Sequence, residues 1–198
     1  MTILKIIDNA VPQEIFTLAS KECTKGIWQF NNSSFEGDPN VGFGASDYIT
    51  EVNSLIKKGE FNKANVIYNL WNAINSKIKI EDTFKNTLKK VHLNCGPPLY
   101  DQAWHQDDPA VFSKDITVVH FLHSTWDVTW GGEMIIFDEA VKRVTSGVIP
   151  FPNRAAVFPS YLPHRGVAVS RVCPVMRVSI AFQCTFNNET QFLKGDTK

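Results

Sequence analysis

The sequence predicts a mainly β fold with helices at its N-terminal end, an α+β chain in which helices buttress a small antiparallel sandwich or barrel. Three observations carry this. Helical spacing dominates before about residue 85, and short runs rich in Val, Ile and Phe dominate after it. Those runs are separated by Gly, Pro, Asn and Asp at intervals of roughly 8 to 15 residues. No helical pattern interrupts them, which favours antiparallel pairing over a parallel α/β sheet. With 198 residues and no repeat or linker, the chain reads as a single domain. Its helical support region covers about 1–85 and its β core about 86–190.

Taken in order, Pro12 sits where a first helical turn tolerates proline and opens a helix over "PQEIFTLASKEC". The stretch "GIWQFNNSSFEGDPNVGFG" is broken by glycines and amide side chains, and predicts short extended pieces and turns. Ile67, Leu70, Trp71, Ile74 and Ile78 recur at i, i+3, i+4, i+7 and i+11, which predicts an amphipathic helix from about Lys63 to Lys79. The strands expected beyond are "LKKVHLNC", "DITVVHFLH", "GGEMIIFD", "AVKRV", "RAAVFPS", "GVAVSR" and "MRVSIAFQCTF".

Composition narrows the function classes. Lys+Arg and Asp+Glu are equal at 20 each, so no excess of positive charge calls for nucleic acid or an anionic membrane as partner. The start "MTILKIIDNAVPQE" meets an acid and a proline before any long apolar run, and is not expected to be a signal peptide. No window approaches the roughly 18 apolar residues of a membrane span. Cys23, Cys95, Cys173 and Cys184 lack the spacing of a zinc or redox site and are expected as reduced thiols. A cytoplasmic protein is the expectation.

The stretch "YDQAWHQDDPA" carries the chemistry. On an extended segment His105 and Asp107 share a face while Gln106 points away, so an imidazole and a carboxylate reach one metal ion together. The same residue types also make an ordinary polar loop. A third ligand has to come from elsewhere, and His92, His120, His123 and His164 are the candidates. His164 ends "FPSYLPH", where Pro159 and Pro163 shape a turn between two strands, a rim position facing a cavity. Two histidines and one carboxylate make the facial triad of non-haem Fe(II) oxygenases, which leaves three positions open.

Four motifs follow one another in order. They are "HQD" at His105 to Asp107, "TVVHFLHSTWDVTWGGEMIIF" with Trp126, Gly131, Gly132 and Glu133, "RAAVFPSYLPH" ending at His164, and "RVSIAF" with Arg177 and Ser179. Through them the chain from about Val91 to Phe186 resembles the 2-oxoglutarate/Fe(II)-dependent dioxygenase superfamily, in its prolyl-4-hydroxylase-like branch. The resemblance implies a double-stranded β-helix of jelly-roll or cupin-like type. It implies that His105, Asp107 and His164 bind Fe(II), and that Arg177, helped by Ser179, anchors 2-oxoglutarate. It further implies O2 as cosubstrate, ascorbate as a ligand of the branch, and hydroxylation of an organic substrate with release of succinate and CO2. A small molecule, peptide or protein is the expected substrate, with a prolyl residue or free proline foremost.

The residues fit that chemistry. A buried carboxylate of the cosubstrate needs a compensating cation, and the arginine fork offers two parallel hydrogen bonds. Alternation puts Arg177, Ser179 and Ala181 on one face of a strand and Val178, Ile180 and Phe182 on the other. Arg171 is the rival anchor, at an expected hairpin end, and Arg165 is expected to point away from the face of His164. The tyrosines common in the family are missing: "VHLNCGPP" offers His92 or Asn94 instead, and Phe121 lacks a hydroxyl. Phe121 and Met134 are expected to line the pocket with apolar surface. His120 and His123 are expected as surface or core histidines, Asp108 as a turn cap, and Trp104, Trp126 and Trp130 as packing residues. Gly131 and Gly132 are expected to permit a tight turn. Substrate selection is expected in "STWDVTW" and from Asn31 to Ser46. Two other readings remain open: a cupin-like metal-binding protein without oxygenase activity, and a noncatalytic β-sandwich interaction module with HxD in a polar loop.

Overall fold

The computed structural model describes residues 4–24, 28–32, 42–78, 87–110, 115–138 and 142–185. In chain order the elements are β1 (Lys5–Ile7), α1 (Gln13–Thr24), β2 (Trp28–Asn32), β3 (Gly42–Ala45), α2 (Ser46–Lys58), α3 (Val66–Ile78), β4 (Thr87–Gly96), β5 (Asp115–Phe121), β6 (Met134–Asp138), β7 (Arg143–Val148), β8 (Ala155–Pro159), β9 (His164–Gly166) and β10 (Arg177–Thr185). The expected helices at both flanks form, and the second begins where the Asn65 side chain accepts the Ile67 amide at 2.8 Å as an N-cap.

The helix α2 lies in a stretch for which no element was expected. Its buried positions, Ile49, Val52 and the partly buried Ile56, follow a helical face. Its end is marked by Gly59 at φ 72°, with the amides of Gly59 and Glu60 returning to the carbonyls of Ile56 and Leu55.

The strands form two antiparallel sheets. The larger has the order β1–β8–β5–β10–β4–β3–β2, and the smaller has the order β7–β6–β9. Side-chain alternation on the larger sheet decides everything that follows. On β10, Val178, Ile180 and Phe182 face the helices and join a core with Phe16, Leu70 and Trp71. Burying each such side chain contributes roughly 1.5–3 kcal/mol. The opposite face, with Val119, Phe121 and Ala181, packs against Met134 and Ile136 of the smaller sheet. Two sheets enclosing an interior, helices on one outer face, make the double-stranded β-helix expected.

Three local expectations fail. "GVAVSR" is not a strand beyond Gly166: Val169 makes only single bridges, to Pro98 and Gly131, because its chain crosses the end of the roll instead of running along a neighbour. Of the strand expected at "AVKRV", Ala140 and Val141 lie outside the described residues, Lys142 is in a turn, and β7 runs on past Val144 to Val148, paired with β6. "HQD" is not on a regular strand, and only His105 bridges, to His164. Lys79, Phe186 and residues 33–41 of the expected selectivity stretch lie outside the described residues. All four cysteines are buried and unpaired. Among the described residues no helix is long and apolar enough to cross a membrane.

Candidate active site

The bridge between His105 and His164 is the first construction step. Each residue's amide donates to the other's carbonyl, at 3.1 and 2.9 Å, so the two imidazoles leave neighbouring backbones side by side. Their ring centroids are 4.4 Å apart. Asp107 is held over them because its amide and that of Asp108 both donate to the Ser160 carbonyl. His105 Nε2 lies 4.0 Å from Asp107 Oδ1, and His164 Nε2 lies 3.7 Å from Asp107 Oδ2. One ligand atom from each residue lies within 4.8 Å of the other two, an arrangement that suits a single metal ion.

The tautomers are set as a metal requires. His105 Nδ1 is 3.1 Å from the Ala103 carbonyl and His164 Nδ1 is 2.9 Å from the Leu162 carbonyl. A carbonyl only accepts, so each Nδ1 carries the hydrogen and each Nε2 presents its lone pair. Burial pushes the pKa of His164 down to about 4, against the pull of Asp107, so at neutral pH its imidazole is unprotonated.

Next to this cluster opens a cavity of about 90 Å³, lined by His92, Asn94, Gln102, Arg177 and Ser179 together with the three ligand candidates. Strand register explains the wall: Asn94 stands opposite Ser179, and Gly96, without a side chain, stands opposite Arg177. Arg177 is only 6 % exposed, and its Nε is buried without a hydrogen-bond partner among the described residues. Its guanidinium carbon lies 5.5 Å over the Phe121 ring. Burial lowers its pKa to about 10, and Tyr100, Cys95 and Glu133 offset part of that. A buried guanidinium whose desolvation is only partly offset is costly, and an anion entering the cavity relieves the cost.

The remaining predicted residues sort as follows. Met134 lines the cavity, whereas Phe121 lies fully buried beside Arg177. Arg165 points away from His164, pairs with Asp101 at 2.5 Å and covers the Trp104 ring at 5.1 Å. Arg171 is an exposed turn residue. Trp104 is the more exposed of the tryptophans, at 39 %, and Trp126 is buried at 8 %. His120 and His123 are core residues: the Nε2 of His120 meets Asn153 Oδ1, and that of His123 meets the Pro150 carbonyl. Asp108 accepts the Ala110 amide as a turn cap. Gly131 and Gly132 both have positive φ, 71° and 75°, as a tight turn demands.

Gln102 was not anticipated. Its Oε1 accepts the Gly166 amide at 2.9 Å, so the amide nitrogen is its remaining polar group for the cavity. Its partner lies 64 residues away, so only the folded register reveals it.

A β-roll that gathers two histidines and a carboxylate beside a buried guanidinium presents a donor set suited to one metal ion next to a cation suited to an anionic ligand. Residues 92–183 match the family model described as the 2OG-Fe(II) oxygenase superfamily. That match spans the β core carrying the site, and with the donor set it supports an oxygenase using Fe(II), 2-oxoglutarate and O2. Among solved structures, it is similar to a prolyl hydroxylase from Trichoplax adhaerens in complex with a hypoxia inducible factor peptide fragment (TM-score 0.63, 18% identity, 99% of this chain and 89% of that one). A Pseudomonas putida prolyl-4-hydroxylase is also similar (TM-score 0.51, 15% identity, 95% of each chain). So is a Burkholderia pseudomallei oxidoreductase of the 2OG-Fe(II) oxygenase family (TM-score 0.67, 12% identity, 94% and 86%). No curated protein matches the sequence significantly.

Proposed function

We propose that the chain hydroxylates an organic substrate, with His105, Asp107 and His164 holding Fe(II) and Arg177 and Ser179 holding the far carboxylate of 2-oxoglutarate. The observation that carries this is Arg177, a buried guanidinium with no carboxylate partner among the described residues, lining the same cavity as the donor set. A barrel that merely stores a metal has no use for that cation, and a polar-loop module has no use for two Nε2 lone pairs turned to one carboxylate. The donor set fits iron as well: two neutral imidazoles and a carboxylate suit a divalent first-row metal and leave half of an octahedron open.

When bound, the iron with its cosubstrate and O2 supplies the oxidation of an unactivated C–H bond, releasing succinate and CO2. The chain's own residues do the arranging. The carbonyls of Ala103 and Leu162 lock both histidine rings, and Ser160 fixes the Asp107 backbone. Arg177 offers its fork to an anion, and the neighbouring Ser179 adds a hydroxyl. His92, pushed down to about 4 by burial, stays neutral and adds a polar wall without a competing charge. Met134 and Val119 supply the apolar part of the lining and limit water.

Two of the similar structures are named prolyl hydroxylases, one of them in complex with a peptide fragment. A peptidyl-prolyl residue or free proline is accordingly the substrate class carried to this chain. The test incubates the Fe(II)-loaded protein with 2-oxoglutarate, O2, ascorbate and prolyl peptides or proline, and follows succinate and the hydroxylated product by mass spectrometry. Both are expected to appear together and to vanish in H105A, D107A and H164A. Absence of prolyl-stimulated succinate overturns the substrate class alone. A wild-type protein that binds neither Fe(II) nor 2-oxoglutarate overturns the whole reading.

A further inference from the structure

Asp107 sits in a loop with no strand ladder of its own, yet its carboxylate has a fixed neighbour. Thr117 Oγ1 donates to Asp107 Oδ2 at 2.5 Å, and the same Oγ1 is 2.9 Å from Ser160 Oγ. Thr117 is 0 % exposed and Ser160 1 %. An ionised carboxylate only accepts, so the single Thr117 hydrogen is committed to Asp107. The hydrogen between the two hydroxyls must then come from Ser160. The order is therefore one-way: Ser160 donates to Thr117, and Thr117 donates to Asp107.

Rigid parts anchor both donors. Thr117 lies in the middle of β5, opposite Phe158 on one side and Gln183 on the other. Its β-branched side chain has restricted χ1 freedom. Ser160 donates its amide to the Asp115 carbonyl and accepts the amides of Asp107 and Asp108 on its own carbonyl. Ser160 thus touches the Asp107 residue twice, through the backbone directly and through the carboxylate by way of Thr117.

We infer that Thr117 and Ser160 are positioning residues that keep Asp107 a one-oxygen ligand. The inference rests on the reading that His105, Asp107 and His164 hold the metal. With the Thr117 hydrogen on Oδ2, that oxygen has spent a lone pair, which disfavours chelation of one metal through both oxygens. Two imidazoles and one oxygen then occupy three of six positions. A bidentate Asp107 takes a fourth and leaves too few for a chelating 2-oxo acid and O2 together. The hydroxyl pair therefore protects the vacancies that the reaction needs, and it also lowers the charge the carboxylate gives to the metal.

The test uses Co(II), whose visible absorption reports coordination number, on the full chain. Wild type, D107A, T117V, T117S and S160A are titrated with Co(II) and then with 2-oxoglutarate. T117V is expected to bind Co(II) about tenfold to a hundredfold more weakly, or with an altered visible spectrum, and to lose 2-oxoglutarate affinity. T117S restores the hydroxyl and is expected to recover the wild-type spectrum, which a merely structural role of Thr117 does not require. S160A, which leaves β5 untouched, is expected to shift in the same direction by less. Circular dichroism of the metal-free proteins separates these effects from misfolding. If D107A loses Co(II) while T117V and S160A match wild type in affinity and spectrum, the positioning role is overturned and the metal site stands. If D107A also binds like wild type, both fall.

Discussion

The terminal nitrogens of Arg177 lie 3.0 and 3.1 Å from the point where a β-carbon on Gly166 would stand. The short strand β9 thus carries His164 at one end and, two residues on, a gap that the guanidinium fills. Gly166 is needed here for space, since its φ lies outside the left-handed region.

G166A tests this gap. The added methyl also comes 2.7 Å from Gln102 Oε1, so it pushes apart the Gln102–Gly166 pair and crowds the anion seat. Overpacking of this kind costs about 1–3 kcal/mol, or roughly a fivefold to hundredfold loss of 2-oxoglutarate affinity. Mn(II) affinity is expected to fall less, because the added methyl meets Gln102 and Arg177 and not His164. Calorimetry on both ligands reads the two effects separately. Undiminished 2-oxoglutarate binding means the anion seat lies elsewhere.

Removing the charge at Arg177 is expected to move stability and binding in opposite directions. R177M abolishes 2-oxoglutarate binding, yet the ligand-free protein gains about 1 kcal/mol or more, because a buried cation whose burial is only partly offset has been replaced by an apolar chain. Urea unfolding without ligand measures the gain. A less stable R177M points to a neighbour that neutralises Arg177 in the resting protein.

How much of this is legible without coordinates depends on whether a contact is local. The split of β10 into Arg177, Ser179 and Ala181 against Val178, Ile180 and Phe182 follows from alternation alone, and both faces pack as expected. The two histidines and Asp107 were chosen on residue type and motif order, and the fold brings their ligand atoms together. Thr117, Ser160 and Gln102 escape such a reading because their partners are 10 to 64 residues away and the pairing depends on register. The apolar alternation in "GVAVSR" misleads for a related reason. Val169 is buried against Trp126 and Cys173 in a cluster at the end of the roll, so burial there needs no strand ladder. The helix α2 was legible in principle, since Ile49, Val52 and Ile56 carry helical spacing, but the Gly- and Asn-rich stretch before it masks its start.

Asn153 is expected to be the most sensitive polar residue outside the site. At φ 57° and 4 % exposure, it donates Nδ2 to the Val11 carbonyl at 2.8 Å, while its Oδ1 accepts the Val11 amide and faces His120 Nε2, each at 3.1 Å. One side chain therefore ties the segment before α1 to the β roll. N153A strands several buried groups at about 1–3 kcal/mol each and forces alanine into the left-handed region. A fall in Tm on the order of 10 °C is expected, at about 2–4 °C per kcal/mol for a chain of this size. N153G relieves only the backbone part and recovers about 1 kcal/mol of it. If N153A melts within a degree or two of wild type, the tie is dispensable.

Stability is expected to fall as pH drops from about 6.5 towards 4, and buried histidines are the cause. Burial pushes both His120 and His123 down to about 4, and Arg177 adds to the depression of His123. Their ordinary pKa is 6.5, so in this window the unfolded chain takes up protons that the folded chain refuses. The stabilisation is complete above pH 6.5 and drains away below it, at up to about 1.4 kcal/mol per pH unit for each histidine. His92 and His164 are shifted the same way and steepen the fall in the metal-free protein. Urea midpoints of the metal-free chain at pH 7.5 and pH 5 measure the total. H123F keeps an aromatic ring against Trp126, where the centroids are now 4.3 Å apart, and removes one titrating group. It is expected to flatten the slope by about one proton; an unchanged slope means His123 is already protonated in the folded chain.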